Sequence, residues 1–228
     1  MPSTAAVPPP SPPRPIGATT EDGDPLALAL FGLTAVSGLI DAVSYLGLSH
    51  VFAANMTGNV VIIGFALAGA PGFSVLGSLT SLGAFLVGAA LAGRLTIGRL
   101  RPALAAETVL HLAAAAVAFA FGTGGALQYG VIALLAVAMG LRNATVRSLG
   151  VPDLTTTVLT MTLTGLAADT RLSGRHSPHQ RRRILAALTM TAGTVPGALL
   201  VLHGRLPWAL VLAATLTAAT ATLYREPA

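Results

Sequence analysis

Residues 38–64 decide the fold, and they read G-L-I-D-A-V-S-Y-L-G-L-S-H-V-F-A-A-N-M-T-G-N-V-V-I-I-G. The stretch is strongly apolar, yet it carries the polar residues Asp41, Asn55, Thr57 and Asn59. An ionisable side chain inside a membrane segment is costly, so it is by default a candidate functional group. We therefore interpret this stretch as a membrane segment that holds a polar site.

The composition of the chain is that of a membrane protein. Of its 228 residues, 54% are hydrophobic and 9% are charged, and its mean hydropathy is +0.76. A soluble domain carries about 25% charged residues, so this chain has too few to cover a water-facing surface. All 13 basic residues are arginines, and they lie between apolar segments, where they fix topology. We predict an integral protein of the lipid bilayer with no nucleic-acid partner.

Eight apolar segments follow a proline-rich tail over residues 1–25, which is predicted to be disordered because it cannot bury a core. The predicted fold is all-α, a polytopic transmembrane helix bundle over residues 26–225. A spanning helix needs roughly 20 residues, so the sixth segment is short. The eight segments cover about residues 26–46, 51–69, 73–93, 103–121, 126–145, 154–168, 184–202 and 207–223.

The arginines favour six full spans over eight. With eight spans, the basic loops at residues 94–101 and 171–183 would lie on opposite sides of the membrane, against the positive-inside rule. If the second and sixth segments are broken or re-entrant, both loops become cytoplasmic, and only Arg205 lies outside. We therefore predict six spans plus two broken or re-entrant segments, with both termini in the cytoplasm.

The sequence also contains a weak internal repeat, with halves at about residues 26–121 and 126–223. Residues 140–169 read G-L-R-N-A-T-V-R-S-L-G-V-P-D-L-T-T-T-V-L-T-M-T-L-T-G-L-A-A-D. The first half then holds three spans, an odd number, so the fifth segment runs opposite to the first and the halves would be inverted, a common plan among secondary transporters. In this alignment Gly140 matches Gly38, Asn143 matches Asp41, and Thr160 matches Thr57.

These motifs resemble the YoaK-type family of uncharacterised bacterial polytopic membrane proteins. The resemblance covers about residues 26–223, and Arg142 and Met161 depart from the family's usual pattern. It implies a multi-pass protein of the inner membrane and supplies no substrate. The residues that carry it are Gly38, Asp41 and Ala42, V-F-A-A-N-M-T-G-N at 51–59, G-L-R-N-A at 140–144 and D-L-T-T-T-V-L-T-M-T-L-T-G at 153–165.

The polar residues of the two repeated stretches are the candidate substrate-binding site. A carboxylate, amides and hydroxyls can bind a cation, an amine or a neutral solute. The alternative for each is a structural role, since Asn and Thr also hydrogen-bond across packed membrane helices. The candidate residues are Asp41, Asn55, Thr57, Asn59, Asn143 and Thr160.

The remaining charged residues favour structural interpretations. Arg142 and Arg147 are interpreted as cytoplasmic anchors. Glu107 and His111 share a helix face and could form a proton relay, but a local pair near the membrane surface is preferred because Arg101 is close. There is no Cys and no metal-ligand spacing, so no metal or cofactor is predicted.

The function predicted from the sequence is that of a small secondary permease for an unknown small solute or ion. The alternatives are a non-transporting membrane scaffold or assembly protein and, less favoured, an intramembrane enzyme. No motif for a nucleophile or a phosphate-binding loop is present, so an enzyme is not expected and no catalytic residue is named. Association into a homo-oligomer is left open.

Overall fold

The computed structural model describes residues 25–95, 99–149 and 180–224. Over these ranges every regular element is an α-helix, which confirms the all-α prediction for them. The predicted tail and the sixth apolar segment, with Thr160, lie outside the described residues. The helices are α1 (Pro25–Gly47), α2 (Met56–Leu67), α3 (Val75–Leu95), α4 (Leu100–Phe121), α5 (Leu127–Ser148), α6 (Gln180–Leu202) and α7 (Leu206–Leu223).

Six of these helices are long and apolar enough to cross a membrane, and α2 is the exception. With 12 residues, α2 is about 18 Å long, against a hydrocarbon core of about 30 Å. It begins five residues later than the second apolar segment, because the chain between α1 and α2 is not helical. Positive φ angles of 59° at Ser49 and 56° at His50 end the first helix there.

The two ends of the bundle can be identified from contacts between helix termini. At one end, a single apolar cluster joins the starts of α1, α4 and α6 to the ends of α5 and α7. Its members include Leu26, Leu30, Leu100, Leu104, Val146, Ala186 and Tyr224.

The opposite end joins the other termini of the same helices. There Ser49 Oγ, just after α1, donates to Gln128 Oε1 at the start of α5 over 2.6 Å. Phe119 near the end of α4 stacks edge-on against Trp208 at the start of α7, with ring centroids 5.3 Å apart. α1 ends at the opposite end of the bundle and α4 begins at the first end, so the chain between them crosses the membrane once. The helix long enough for this crossing is α3. The second apolar segment therefore enters the bundle without crossing it.

The first end carries the arginines that are expected to be cytoplasmic. Arg94 lies in the last turn of α3, Arg99 precedes α4, and Arg147 lies in the last turn of α5. Since the chain has no native cysteine, single cysteines can test this topology. We expect Ser177→Cys to react only with reagent supplied from the cytoplasm, and Ala126→Cys, in the α4–α5 connection, only from outside. Reaction of position 177 with reagent supplied only from outside would overturn the six-span topology.

The central helices are α1 and α5. Of their membrane-spanning windows, 78% and 61% are buried inside the protein, against 17–33% for the other four spans. The first central helix packs on α6 and α7, the second packs on α3 and α4, and α4 packs on α7. The short α2 packs on α3. The core thus combines contacts between neighbouring helices with contacts of α1 on α6 and α4 on α7, which are distant in sequence.

Glycines allow the closest of these helix crossings. A Cβ added at Gly193 of α6 would fall on the Ala35 carbonyl of α1, and one at Gly38 would fall on the Met190 carbonyl of α6. Gly197, one turn further, meets the Leu39 backbone. Small residues permit such backbone approach in lipid, where dispersion and hydrogen bonds replace the hydrophobic effect between helices.

The α3–α5 crossing is built in the same way. A Cβ at Gly88 would fall on the Val137 carbonyl, and a Cβ at Gly140 would fall on the Phe85 carbonyl. Both central helices therefore meet one peripheral helix through backbone contact, with one glycine on each side.

These contacts predict that alanine substitution has very different effects on stability at two glycines. Gly193→Ala should destabilise the protein by about 1–3 kcal/mol, since a backbone carbonyl cannot yield as a side chain can. Gly83→Ala is the matched control, because nothing lies within 4 Å of a Cβ there, and its stability should equal or slightly exceed that of the parent. Denaturant titration in mixed micelles measures both. Equal midpoints for the two variants would contradict the described α1–α6 contact.

Candidate functional site

The non-helical stretch between α1 and α2 lies inside the bundle. Leu48, Val51, Ala53 and Ala54 belong to the same buried cluster as residues of α4, α5 and α7. In the hydrocarbon region no water is available to backbone N–H and C=O groups, so irregular backbone is tolerated only where protein or a cavity satisfies them. The groups that bond this backbone therefore define the site.

Residues 52–54 of this stretch present three successive backbone N–H groups, and side chains of α1 accept hydrogen bonds from two of them. The Ala54 N–H donates to Asp41 Oδ1 over 2.8 Å, and the Ala53 N–H donates to Ser44 Oγ over 3.1 Å. The Asp41 side chain is almost completely buried. Because Asp41 and Ser44 are three residues apart, they share the face of α1 that meets the break. The carboxylate thus fixes the backbone at the discontinuity.

The preceding residue, Phe52, is held from the other side. Its N–H donates to Asn59 Oδ1 over 2.8 Å, and its carbonyl accepts from Asn59 Nδ2 and Ser81 Oγ, each over 2.6 Å. Asn59 also donates to Ser81 Oγ over 3.1 Å, and both side chains are fully buried. Asn59 and Ser81 together clamp the break from α2 and α3.

Asn55 and Thr57 differ from Asn59 because both are exposed. Asn55 precedes the first residue of α2, and its side-chain oxygen accepts from the Gly58 N–H over 3.4 Å. The two side chains stand at the start of α2, next to the stretch that Asp41 holds. Among the described candidate residues, they have the most room to contact a solute.

Asn143 lies at a different depth from Asp41. Its neighbour Arg142 bonds to the Leu33 carbonyl and to Ser37 Oγ. These residues precede Asp41 by eight and four positions, or roughly 12 and 6 Å along α1. The structure thus brings Asp41 and Asn59 to the same break, with Asn55 and Thr57 beside it, and it does not bring Asn143 to them.

A second polar cluster lies in the interior, and its ionisable members were predicted to lie near the membrane surface. Arg142 Nη1 donates to Glu107 Oε1 and to the Leu33 carbonyl, both over 3.1 Å, and Nη2 donates to Ser37 Oγ. Arg142 is 1% exposed, and Glu107 and His111 are 0% exposed. His111 Nε2 lies 4.0 Å from Glu107 Oε1.

Two predictions from the sequence are therefore wrong. Arg142 is not a cytoplasmic anchor, because its guanidinium turns inward and binds α1 and α4. Glu107 and His111 are not a pair at the membrane surface, because both are enclosed by the bundle. Arg147, which is exposed in the last turn of α5, remains consistent with an anchor.

Comparison with known proteins gives the family. The profile of a family described as "Protein of unknown function (DUF1275)" matches residues 29–223. The chain belongs to this family. The UPF0700 transmembrane protein YoaK of Bacillus subtilis (strain 168) is 36% identical over 155 residues, which cover 65% of this chain and 67% of that protein. No solved structure matches the chain.

The family assignment confirms the resemblance found in the sequence. Together with six helices that can cross a membrane, the similarity to a transmembrane protein makes this DUF1275 chain a multi-pass membrane protein. Neither the family description nor the relative's name states a substrate.

Sequence reasoning missed two side chains of the DUF1275 site, Ser44 and Ser81. Serine in a membrane helix is inexpensive, since its hydroxyl can bond a carbonyl of the preceding turn, so neither residue stood out. The spacing of Ser44 from Asp41 was the available signal. Ser81 had no signal, because its contact with residue 52 depends on how α3 packs beside the break.

The chemistry open to this site is that of hydrogen bonds and one negative charge. Over the described ranges, no three His, Asp or Glu side chains group so as to hold a metal ion. Asp41 and Glu107 are the carboxylates of these ranges, and Glu107 is neutralised by Arg142. Asp41 therefore supplies the negative charge at the break.

Proposed function

We propose that this DUF1275 protein is a small secondary permease, which moves a small solute or ion through a site at the break between α1 and α2 and its counterpart in the second half. One observation carries the proposal. A nearly buried carboxylate, Asp41, bonds the backbone of a discontinuity inside the bundle. Secondary transporters commonly place substrate and ion sites at such discontinuous helices.

The proposal includes an inverted repeat, which the helix packing supports. α1 and α5 start at opposite ends of the bundle, and each crosses a peripheral helix through paired glycines. Gly38 meets Met190 while Gly193 meets Ala35, and Gly140 meets Phe85 while Gly88 meets Val137. The equivalent positions of the two halves differ by constant numbers. Ala35 and Gly38 correspond to Val137 and Gly140, 102 residues later. Phe85 and Gly88 correspond to Met190 and Gly193, 105 residues later. Two constant shifts are what a two-fold axis in the membrane plane would produce.

The charge of the site favours a cation, an amine or a neutral solute over an anion. From the sequence we placed no arginine inside the bundle, whereas Arg142 does lie there. Its charge is matched by Glu107 over 3.1 Å, so the balance at Asp41 remains negative. The amide of Asn55 and the hydroxyl of Thr57 add neutral donors and acceptors.

Untargeted metabolite analysis tests the proposal. A strain that lacks this chain, the same strain carrying the parent gene, and the same strain carrying Asp41→Asn are compared for metabolites inside and outside the cell. We expect a small set of compounds to change on deletion, to be restored by the parent, and to stay altered with Asp41→Asn. If no compound changes on deletion and is restored by the parent gene, transport is refuted.

The second candidate is a non-transporting scaffold, and a specific observation favours it. Asp41, Ser44, Asn59 and Ser81 are all bonded to the backbone of the break. Such side chains can be purely structural. A scaffold would show no metabolite difference, and Asp41→Asn would act only through the amount of protein in the membrane.

A further inference from the structure

The Glu107–His111 pair is the interior feature that the proposed substrate site leaves unused. It lies on α4, on the side of the bundle that carries the arginines, because Glu107 is seven residues after the start of that helix. Both side chains are completely enclosed. Buried ionisable residues in membrane helices commonly form proton pathways in pumps and transporters.

The arginine beside the pair is fully engaged. The guanidinium of Arg142 bonds Glu107, the Leu33 carbonyl and Ser37, and it also contacts Met139 Sδ over 3.0 Å. It therefore ties α5 to both α1 and α4. The ion pair with Glu107 is the link to α4, so any change in the charge of that carboxylate changes how these helices are held together.

The imidazole beside it is not engaged. Neither ring nitrogen of His111 has a hydrogen-bond partner in the described part of the chain, although a neutral imidazole offers one donor and one acceptor. Leaving such groups unbonded in the interior is costly. The 4.0 Å from Nε2 to Glu107 Oε1 is about 1 Å longer than an ordinary N–H···O bond. A second proton on the ring would make both nitrogens donors, so that Nε2 donates towards Glu107 whichever tautomer the neutral ring adopts.

The other groups near the pair are few. From α5, the facing charge is Arg142. From α7, the neighbour is Thr217, whose hydroxyl donates to the Ala213 carbonyl over 2.9 Å. From α1, the polar groups are Ser37 and the Leu33 carbonyl, and the nearest titratable group there is Asp41, one turn beyond Ser37.

We propose that Glu107 and His111 together form a proton-binding site, and that its occupancy controls the ion pair by which Arg142 holds α4 to α5. The proton belongs to the pair rather than to one residue, because groups this close titrate together. When it resides on Glu107, the carboxylate charge that attracts Arg142 is removed. When it resides on His111, the imidazolium competes with Arg142 for the same oxygen. Calling this proton the coupling ion rests on the proposed permease function.

Infrared difference spectroscopy between acidic and alkaline buffer tests proton binding without any solute. The full chain is placed in lipid vesicles, and the C=O stretch of protonated carboxyl groups is followed against pH. We expect a titrating band from the shielded carboxyl group of Glu107, which is lost in Glu107→Gln and shifted in frequency and in midpoint pH in His111→Phe. Because both changes concern proton binding alone, failure of transport would not mimic them.

Two further variants keep the test decisive. Glu107→Gln leaves Arg142 without its carboxylate, so the double variant Glu107→Gln with Arg142→Gln, which leaves no unpaired charge at this place, must also lack the band. Asp41→Asn is the assignment control, and it should keep the band. A band lost in Asp41→Asn and retained in Glu107→Gln would overturn the proposal. So would the absence of any titrating band from a shielded carboxyl group, or a band that His111→Phe leaves unchanged.

Discussion

Arg142→Met is expected to destabilise the folded protein by about 3–5 kcal/mol, because it leaves Glu107 buried without its cationic partner. The side chains of arginine and methionine are both long and unbranched, so the loss comes from the charge and the hydrogen bonds rather than from a cavity. The affected contacts are those to Glu107, Ser37 and the Leu33 carbonyl. Denaturant titration of the purified protein in mixed micelles measures the change.

The matched control removes both charges. Arg142→Met combined with Glu107→Met should recover most of the loss, to within about 1 kcal/mol of the parent, because replacing a whole buried ion pair by apolar side chains is often neutral. The Leu33 carbonyl still accepts from Ser37 in that variant. If the double variant were as unstable as the single one, the contacts of Arg142 with α1, and not its ion pair, would hold the bundle.

Asp41→Asn is expected to abolish coupled transport while leaving the amount of folded protein in the membrane unchanged. The asparagine side-chain oxygen can still accept from the Ala54 N–H, the bond that now measures 2.8 Å, so the break stays in place while the charge is lost. Transport of the compound identified by metabolite analysis, divided by the amount of folded protein, is the measurement. Activity equal to that of the parent would exclude Asp41 as the ion or substrate carrier.

Comparison with Asp41→Ala distinguishes the loss of the charge from the loss of the hydrogen bond to the Ala54 N–H. Alanine leaves the buried Ala54 N–H without this acceptor, at a cost of about 1–3 kcal/mol, so abundance should fall as well as activity. A scaffold role predicts a different pattern, in which Asp41→Asn behaves as the parent and only Asp41→Ala is impaired. The pair of variants therefore distinguishes the two proposed functions.

The sequence located the six spans well, because a long apolar run reports directly on burial in lipid. The predicted segments for α1, α3 and α5 begin and end within about three residues of the helices. It also indicated that the second segment does not cross, since the arginines could otherwise not lie on one side. Hydropathy could not show where α2 begins, because residues 51–55 are as apolar as a helix interior and are non-helical only through bonds to distant side chains.

The interior ion pair could not be predicted for a related reason. Arg142 lies six residues, or about 9 Å, before the end of α5, which is within reach of the membrane surface for a long side chain. An arginine at that position looks the same in sequence whether it points to water or to a partner. Glu107 is 35 residues away, and only the packing of α4 against α5 brings the two together.

The crossed packing of the two halves has a consequence for how the protein is made. α1 finds its closest partner in α6, and 155 residues separate Gly38 from Gly193. At a synthesis rate of about 5–20 residues per second, α1 waits roughly 8–30 s in the membrane before the helix that fits its glycine face emerges. During that interval the glycine face of α1 is covered by lipid or by the insertion machinery, and the first half stays without its closest helix partner until α6 has been made.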